Sequence, residues 1–111
     1  LFASELGARM LKSDKIYREL NLSSFLTLAD LHKFDSDEKV LVRGIADCIF
    51  EENGELVLID YKTDKVKNED ELLGRYKNQI RFYRNIAAKS LQKNVKEAGL
   101  YSFYLGKVCK Y

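Results

Sequence analysis

The chain has 111 residues, of which 46% are hydrophobic and 32% charged, with a net charge of +2. That suits one ordinary globular domain with a modest core, and the charge alone neither requires nor excludes a nucleic-acid partner, because any basic surface has to be local. No apolar run approaches a membrane span, no secretory leader pattern is present, and two cysteines, Cys48 and Cys109, are too few for a disulfide framework or a four-cysteine cluster, which fits a cytoplasmic protein in a reducing cytosol.

In chain order, Phe2, Leu6 and Met10 recur at spacings of four, one helical stripe over 1–11 that Ser13-Asp14 ends. Ile16 to Leu22 reads as a first strand with Ile16, Leu20 and Leu22 on one face and Glu19 on the other. Phe25 to Leu31 reads as either its continuation or a short turn, and His32 to Lys39 as a polar loop. The chain opens at Leu1 in mid-helix, which is expected of a piece cut from something longer.

A second strand runs from Val40 to Phe50 and a third from Leu56 to Lys62, separated by Glu51-Glu52-Asn53-Gly54-Glu55. Asn-Gly between two apolar runs predicts an antiparallel hairpin, because both residues tolerate positive φ. Counting outward from that turn puts Asp47 opposite Asp60, and Lys62 shares a face with Asp60 because they are two apart on a strand. Buried charge is costly unless something uses it. Two carboxylates at about 5 Å repel by roughly 3 kcal/mol at an effective dielectric near 20, and a divalent cation removes that repulsion. Hard oxygens without clustered His or Cys favour Mg2+, with Mn2+ able to substitute. A lysine beside them can orient a water or stabilise charge building on a phosphate.

Asn68 is a candidate N-cap, followed by Glu69, Asp70 and Glu71 where a helix dipole favours acids. The helix is expected to run to about Leu91. Leu72, Tyr76, Ile80, Tyr83, Ala87 and Leu91 form its core stripe, and Gln79 falls on the same stripe, where its amide needs partners. Arg75, Lys77, Arg81, Arg84 and Lys89 cover the rest, a pattern that serves a solvated face as well as a DNA backbone. Glu97 to Leu105 reads as a last strand, with a short basic end after it. Gly106-Lys107 lacks the spacing of a phosphate-binding loop.

Three segments in order, Gly44-Ile45-Ala46-Asp47, Ile59-Asp60-Tyr61-Lys62-Thr63-Asp64 and Tyr76-x-x-Gln79-x-x-x-Tyr83, resemble the PD-(D/E)xK nuclease superfamily. From about Tyr17 to Tyr104 the chain looks most like the carboxy-terminal nuclease domain of the AddA/RexA (RecB-like) helicase–nucleases. The resemblance implies an α/β fold, a mixed β-sheet flanked by helices with a restriction-endonuclease-like core that here lacks its first helix. It implies a single domain over 1–111, cut from a larger helicase–nuclease subunit. It also implies a Mg2+-dependent deoxyribonuclease that processes double-strand ends for recombinational repair. Its partners would be DNA, the helicase portion of the same parent chain, which would bind the ATP, and the second subunit of an AddAB/RexAB-type complex.

By the same resemblance Asp47, Asp60 and the Tyr61 backbone carbonyl hold the metal. Lys62 positions the attacking water, and Gln79 orients Lys62 or the scissile phosphate. Tyr76, Tyr83, Thr63 and Glu19 lie around them, behind the ligands or against DNA. The family adds a metal-binding histidine from a helix upstream of the first strand. His32, the single histidine, falls after that strand and does not match. The related Cas4-like nucleases need four cysteines that this chain lacks. Two other readings compete. A catalytically silent, nuclease-like domain would only bind DNA or a partner, and intact Asp47, Asp60 and Lys62 argue against it. A purely structural domain would use Asp47 and Lys62 as a buried ion pair, an arrangement of little net stability.

Overall fold

A computed structural model of the chain describes residues 4–30 and 37–111. Phe2 and His32 lie outside the described residues. The order is helix α1 (Ser4–Lys12), strands β1 (Ile16–Thr27), β2 (Lys39–Glu52) and β3 (Glu55–Lys62), helix α2 (Glu69–Leu91), and strands β4 (Val95–Ser102) and β5 (Lys107–Lys110). The five strands form one sheet in sequence order. β1–β2, β2–β3 and β4–β5 are antiparallel, while β3 and β4 are parallel and joined through α2. The mixed sheet with a helix on each face is the expected α/β architecture.

The hairpin forms where the dipeptide demands it: Asn53 has φ 54° and Gly54 φ 79°, both left-handed. Odd and even positions of β3 then divide the core. Leu56 and Leu58 pack with Leu72, Ile80, Ile86 and Ala87 of α2. Val57 and Ile59 pack with Leu6 and Met10 of α1, together with Cys48, Phe50 and Tyr101. Each such side chain taken fully from water contributes about 1.5–3 kcal/mol.

Of the two readings of the stretch after Leu22, β1 takes the continuation, through Phe25 to Thr27. Two expectations need correction. The inward positions of β1 are not one simple alternation. Tyr17 and Leu20, three apart, both pack on the α2 side, as do Ala46 and Ile49 of β2. Both strands slip phase at one level, where Glu19 takes a left-handed φ of 49°, which leaves Ile16 on the exposed side. Finally, the last strand ends at Ser102. Residues 103–106 turn, with Gly106 at φ 68°, and the short basic end is β5.

α2 begins and ends on cap chemistry. The Asn68 side chain accepts a hydrogen bond from the Glu71 amide at 2.9 Å, and Gln92 closes the helix in the left-handed region with its amide on the Ala88 carbonyl. The helix crosses β1 and β2 at Gly44, where a Cβ would sit 2.6 Å from Cε1 of Tyr83. No helix among the described residues is long and apolar enough to cross a membrane.

Candidate active site

β2 and β3 pair from the turn outward only as far as Cys48 opposite Ile59. Beyond that level β2 stays with β1, while β3 stays with β4 through Lys62 opposite Ser102. The sheet therefore forks, and the fork opens at Asp47 and Asp60. Forking strands leave polar backbone groups that need partners. Asp47 supplies one, since its Oδ2 accepts from the Tyr61 amide at 2.9 Å. Amides and carbonyls alternate sides along a strand. The Lys62 carbonyl takes the Phe103 amide on the β4 side at 3.0 Å, so the Tyr61 carbonyl is directed to the β2 side, toward the fork.

The two carboxylates meet as the hairpin count requires. Burial foremost, and then the facing Asp47 carboxylate, push Asp60 up to about 6, against the pull of Lys62. Burial alone would raise Asp47 as well, but the contact with Asp60, the Tyr61 amide and the Lys62 charge together hold it below the usual carboxylate range. A raised carboxyl facing a second carboxylate marks a site that is short of positive charge. Lys62 Nζ lies 2.9 Å from Asp60 Oδ2. The buried-pair reading needed Asp47 as the lysine's partner, and Asp60 holds that place.

From above, α2 closes the fork. Gln79, Ile80 and Tyr83 line a cavity of about 10 Å³ with Ala46, Asp47, Leu58, Asp60 and Gly99, a space on the scale of one water. The Gln79 Oε1 is buried there and has no hydrogen-bond partner among the described residues. A buried, orphaned carbonyl oxygen costs about 1–3 kcal/mol. Gln79 thus joins the two carboxylates, but it makes no hydrogen bond to Lys62 among the described residues; Lys62 meets Asp60 and the face of Tyr76, with Nζ 4.1 Å from the ring centroid.

The donor set fits a hard divalent cation: two carboxylates in contact, a backbone carbonyl on the same side, and an amide oxygen waiting for a positive partner. Among the described residues no three His, Cys, Asp or Glu side chains gather as ligands. Water and substrate oxygens would have to complete the shell.

Of the remaining candidates, Glu19 and Thr63 fall outside this group. Glu19 is level with Asp47 in the β1–β2 register, but its side chain is exposed and makes no hydrogen bond or ion pair among the described residues. Thr63 is exposed just past β3. Tyr83 walls the cavity over Gly44.

Sequence reasoning missed Asp64 and Arg75. The Tyr76 hydroxyl donates to both Asp64 oxygens, at 3.0 and 2.9 Å, and Arg75 Nη1 reaches Asp64 Oδ2 at 3.0 Å. The Tyr76 hydroxyl, ahead of Arg75, lowers the Asp64 carboxyl, and Asp64 raises the Tyr76 phenol, which keeps it a donor. The available signal was an acid two residues past the lysine, which alone does not say what it faces.

Comparison with known proteins agrees with this geometry. Residues 2–110 match the family model of the PD-(D/E)XK nuclease superfamily. Proteins named as the A-type subunit of an ATP-dependent helicase/nuclease are similar over most of the chain. The one from Clostridium kluyveri is 44% identical over 92% of the chain. That from Clostridium perfringens strain SM101 is 44% identical over 98%, and that from Clostridium beijerinckii 40% over 98%. The chain spans about a tenth of the length of these relatives, between 9% and 10%.

Proposed function

This chain belongs to the PD-(D/E)XK nuclease superfamily, and on that premise we propose that it is a Mg2+-dependent DNA nuclease domain, the carboxy-terminal unit of a longer helicase–nuclease subunit that processes double-strand ends for recombinational repair. The observation that carries the reading is the convergence of Asp47, Asp60 and Lys62 at the fork between β2 and β3. The names and lengths of the similar proteins support the attachment to an ATP-driven helicase portion and the pairing with a second subunit. Cytoplasmic chromosomal DNA is the substrate such an assembly would meet.

Asp47, Asp60 and the Tyr61 carbonyl would hold the cation, with Gln79 Oε1 as a further oxygen beside it. Bound there, Mg2+ or Mn2+ would supply a fixed positive charge for the phosphodiester oxygens and acidify water. The chain's own residues do the rest. The Tyr61 amide holds Asp47 in place, so the carboxylate needs little reorganisation when charge changes nearby. Lys62 carries three N–H donors, one of them on Asp60. The others are available to orient the attacking water and to bond the phosphate oxygen as negative charge builds on it. Gln79, Ile80 and Tyr83 restrict the water that reaches the carboxylates.

The test is cleavage of end-labelled DNA by the 111-residue chain and by the full-length parent, each beside Asp60→Ala, with Mg2+ or Mn2+ and with EDTA. Cation-dependent cleavage that drops at least about a hundredfold in the variant is expected. Equal cleavage by Asp60→Ala and wild-type parent overturns the reading and leaves a domain that only binds DNA or a partner protein.

A further inference from the structure

Lys62 has two neighbours of different kinds. Asp60 Oδ2 attracts its ammonium at 2.9 Å, and the Tyr76 ring lies 4.1 Å away on another side. If the carboxylate alone held it, Lys62 would lose its fix whenever a hard cation drew on the Asp60 oxygens. An aromatic face behaves otherwise. It attracts an ammonium through its quadrupole, carries no net charge, and is no ligand for a hard cation. The ring is itself fixed. Its hydroxyl donates to both Asp64 oxygens, Arg75, the preceding residue of α2, also ties Asp64, and Arg75 reaches Glu71 at 3.5 Å. Donation to a carboxylate pushes electron density into the phenol ring and strengthens its pull on a cation. A chain of contacts thus runs from the residues just past β3, through α2, and back to the lysine at the end of β3.

We propose that Tyr76 is a positioning residue for Lys62, with its ring as the ammonium's seat and Asp64 and Arg75 as the clamp that orients the ring. Its consequence for catalysis rests on the nuclease reading; the seat itself does not. The pairing also explains why Lys62 is held without Gln79, whose oxygen stays free for the cavity. In sequence terms, the acid after the lysine and the tyrosine three residues before the glutamine act as one unit.

The test uses the 111-residue chain in two measurements, beginning with the NMR shift of the Lys62 ε-methylene protons. A methylene next to an ammonium over a ring face is moved upfield of the other lysines. Wild type should show the displaced signal in full, and Tyr76→Leu should return it to the ordinary position. Tyr76→Phe and Asp64→Asn, which keep the ring but loosen its clamp, should fall between them. Cooperative melting of each variant checks that it folds. The second measurement is steady-state cleavage with Mn2+, in the parent protein if needed. Tyr76→Leu should lose about five- to twentyfold in kcat with the KM for DNA unchanged, and Tyr76→Phe should restore most of the rate.

An ordinary Lys62 shift in wild type, or an identical shift in Tyr76→Leu, overturns the seat. So does a Tyr76→Phe rate as low as that of Tyr76→Leu, which would assign the effect to the hydroxyl. A displaced Lys62 signal in a protein that cleaves nothing supports the seat and counts against the nuclease reading, so the two failures are told apart.

Discussion

Gly44 shows how one residue's identity follows from a neighbour on another element. Its backbone passes under the Tyr83 ring with no room for a methyl group, since the nearest ring carbon would be 2.6 Å from a Cβ. Gly44→Ala should therefore move the ring off the cavity wall and cost about 1–3 kcal/mol as an overpacked contact, read as a lower urea midpoint at unchanged slope. Read in sequence, Gly44 was one letter of a resemblance; its reason is a crossing helix. Asp60 and Lys62 differ in this respect. Their shared face follows from a period of two, and the 2.9 Å contact between them is what that period predicts. Tyr76 lies between these cases. Its place on the buried stripe of α2 was readable, whereas its position over Lys62 depends on where the end of β3 meets the helix.

Among the elements, α2 was the most legible. Asn68, three acids and a stripe of apolar residues gave its start, its end near Leu91 and its buried face. It also carries a weak point. Gly74 is exposed in mid-helix, and a Cβ built there would meet nothing within 4 Å. Gly74→Ala should stabilise the chain by about 0.5–1 kcal/mol through backbone entropy, with Mn2+ binding unchanged because the residue faces away from the fork. A thermal melt and a metal titration of the variant check both halves. The strands were less legible at their ends. Glu19 breaks the alternation of β1 through its backbone angle, which its side chain does not announce. Phe103 and Tyr104 look like strand residues and yet turn, because β5 must fold back to cover β4.

The whole molecule is tied together by a charge network at the end opposite the fork. Arg9 of α1 binds Glu52 through two donors, at 2.9 and 2.8 Å, and reaches Glu97 of β4 at 2.8 Å. Lys96 lies 2.8 Å from Glu52, and Lys110 lies 3.1 Å from Glu97. Arg9, followed by Lys96, holds the Glu52 carboxyl down at about 2, and Arg9 likewise lowers Glu97. A carboxyl depressed in the folded state binds fewer protons there than in the unfolded chain, so stability rises with pH across the gap. The contribution is complete above the unfolded value near 4.3 and disappears as pH falls through about 2. The partners are partly exposed and screened, so the effect is modest. Arg9→Gln should lower the urea midpoint at pH near 7 and flatten its fall between about pH 4.5 and 2, with the loss seen first as reduced protection of α1 amides.

Local rules alone gave the hairpin at Asn53-Gly54, the shared face of Asp60 and Lys62, the level of Asp47 opposite Asp60 and the capped helix bearing Gln79. Each depends on residues within a turn or a few strand positions of one another, where φ preference, pleat and helical period act without the rest of the chain. The tertiary structure decided what lies between elements: the fork that sends the Asp47 carboxylate to the Tyr61 amide, the cavity that leaves Gln79 Oε1 without a partner, and the Tyr76 ring that seats Lys62 while Asp64 holds it. Those depend on how far β2 follows β3 and how α2 lies across both. They are settled by packing over the whole sheet, and no short window of sequence contains them.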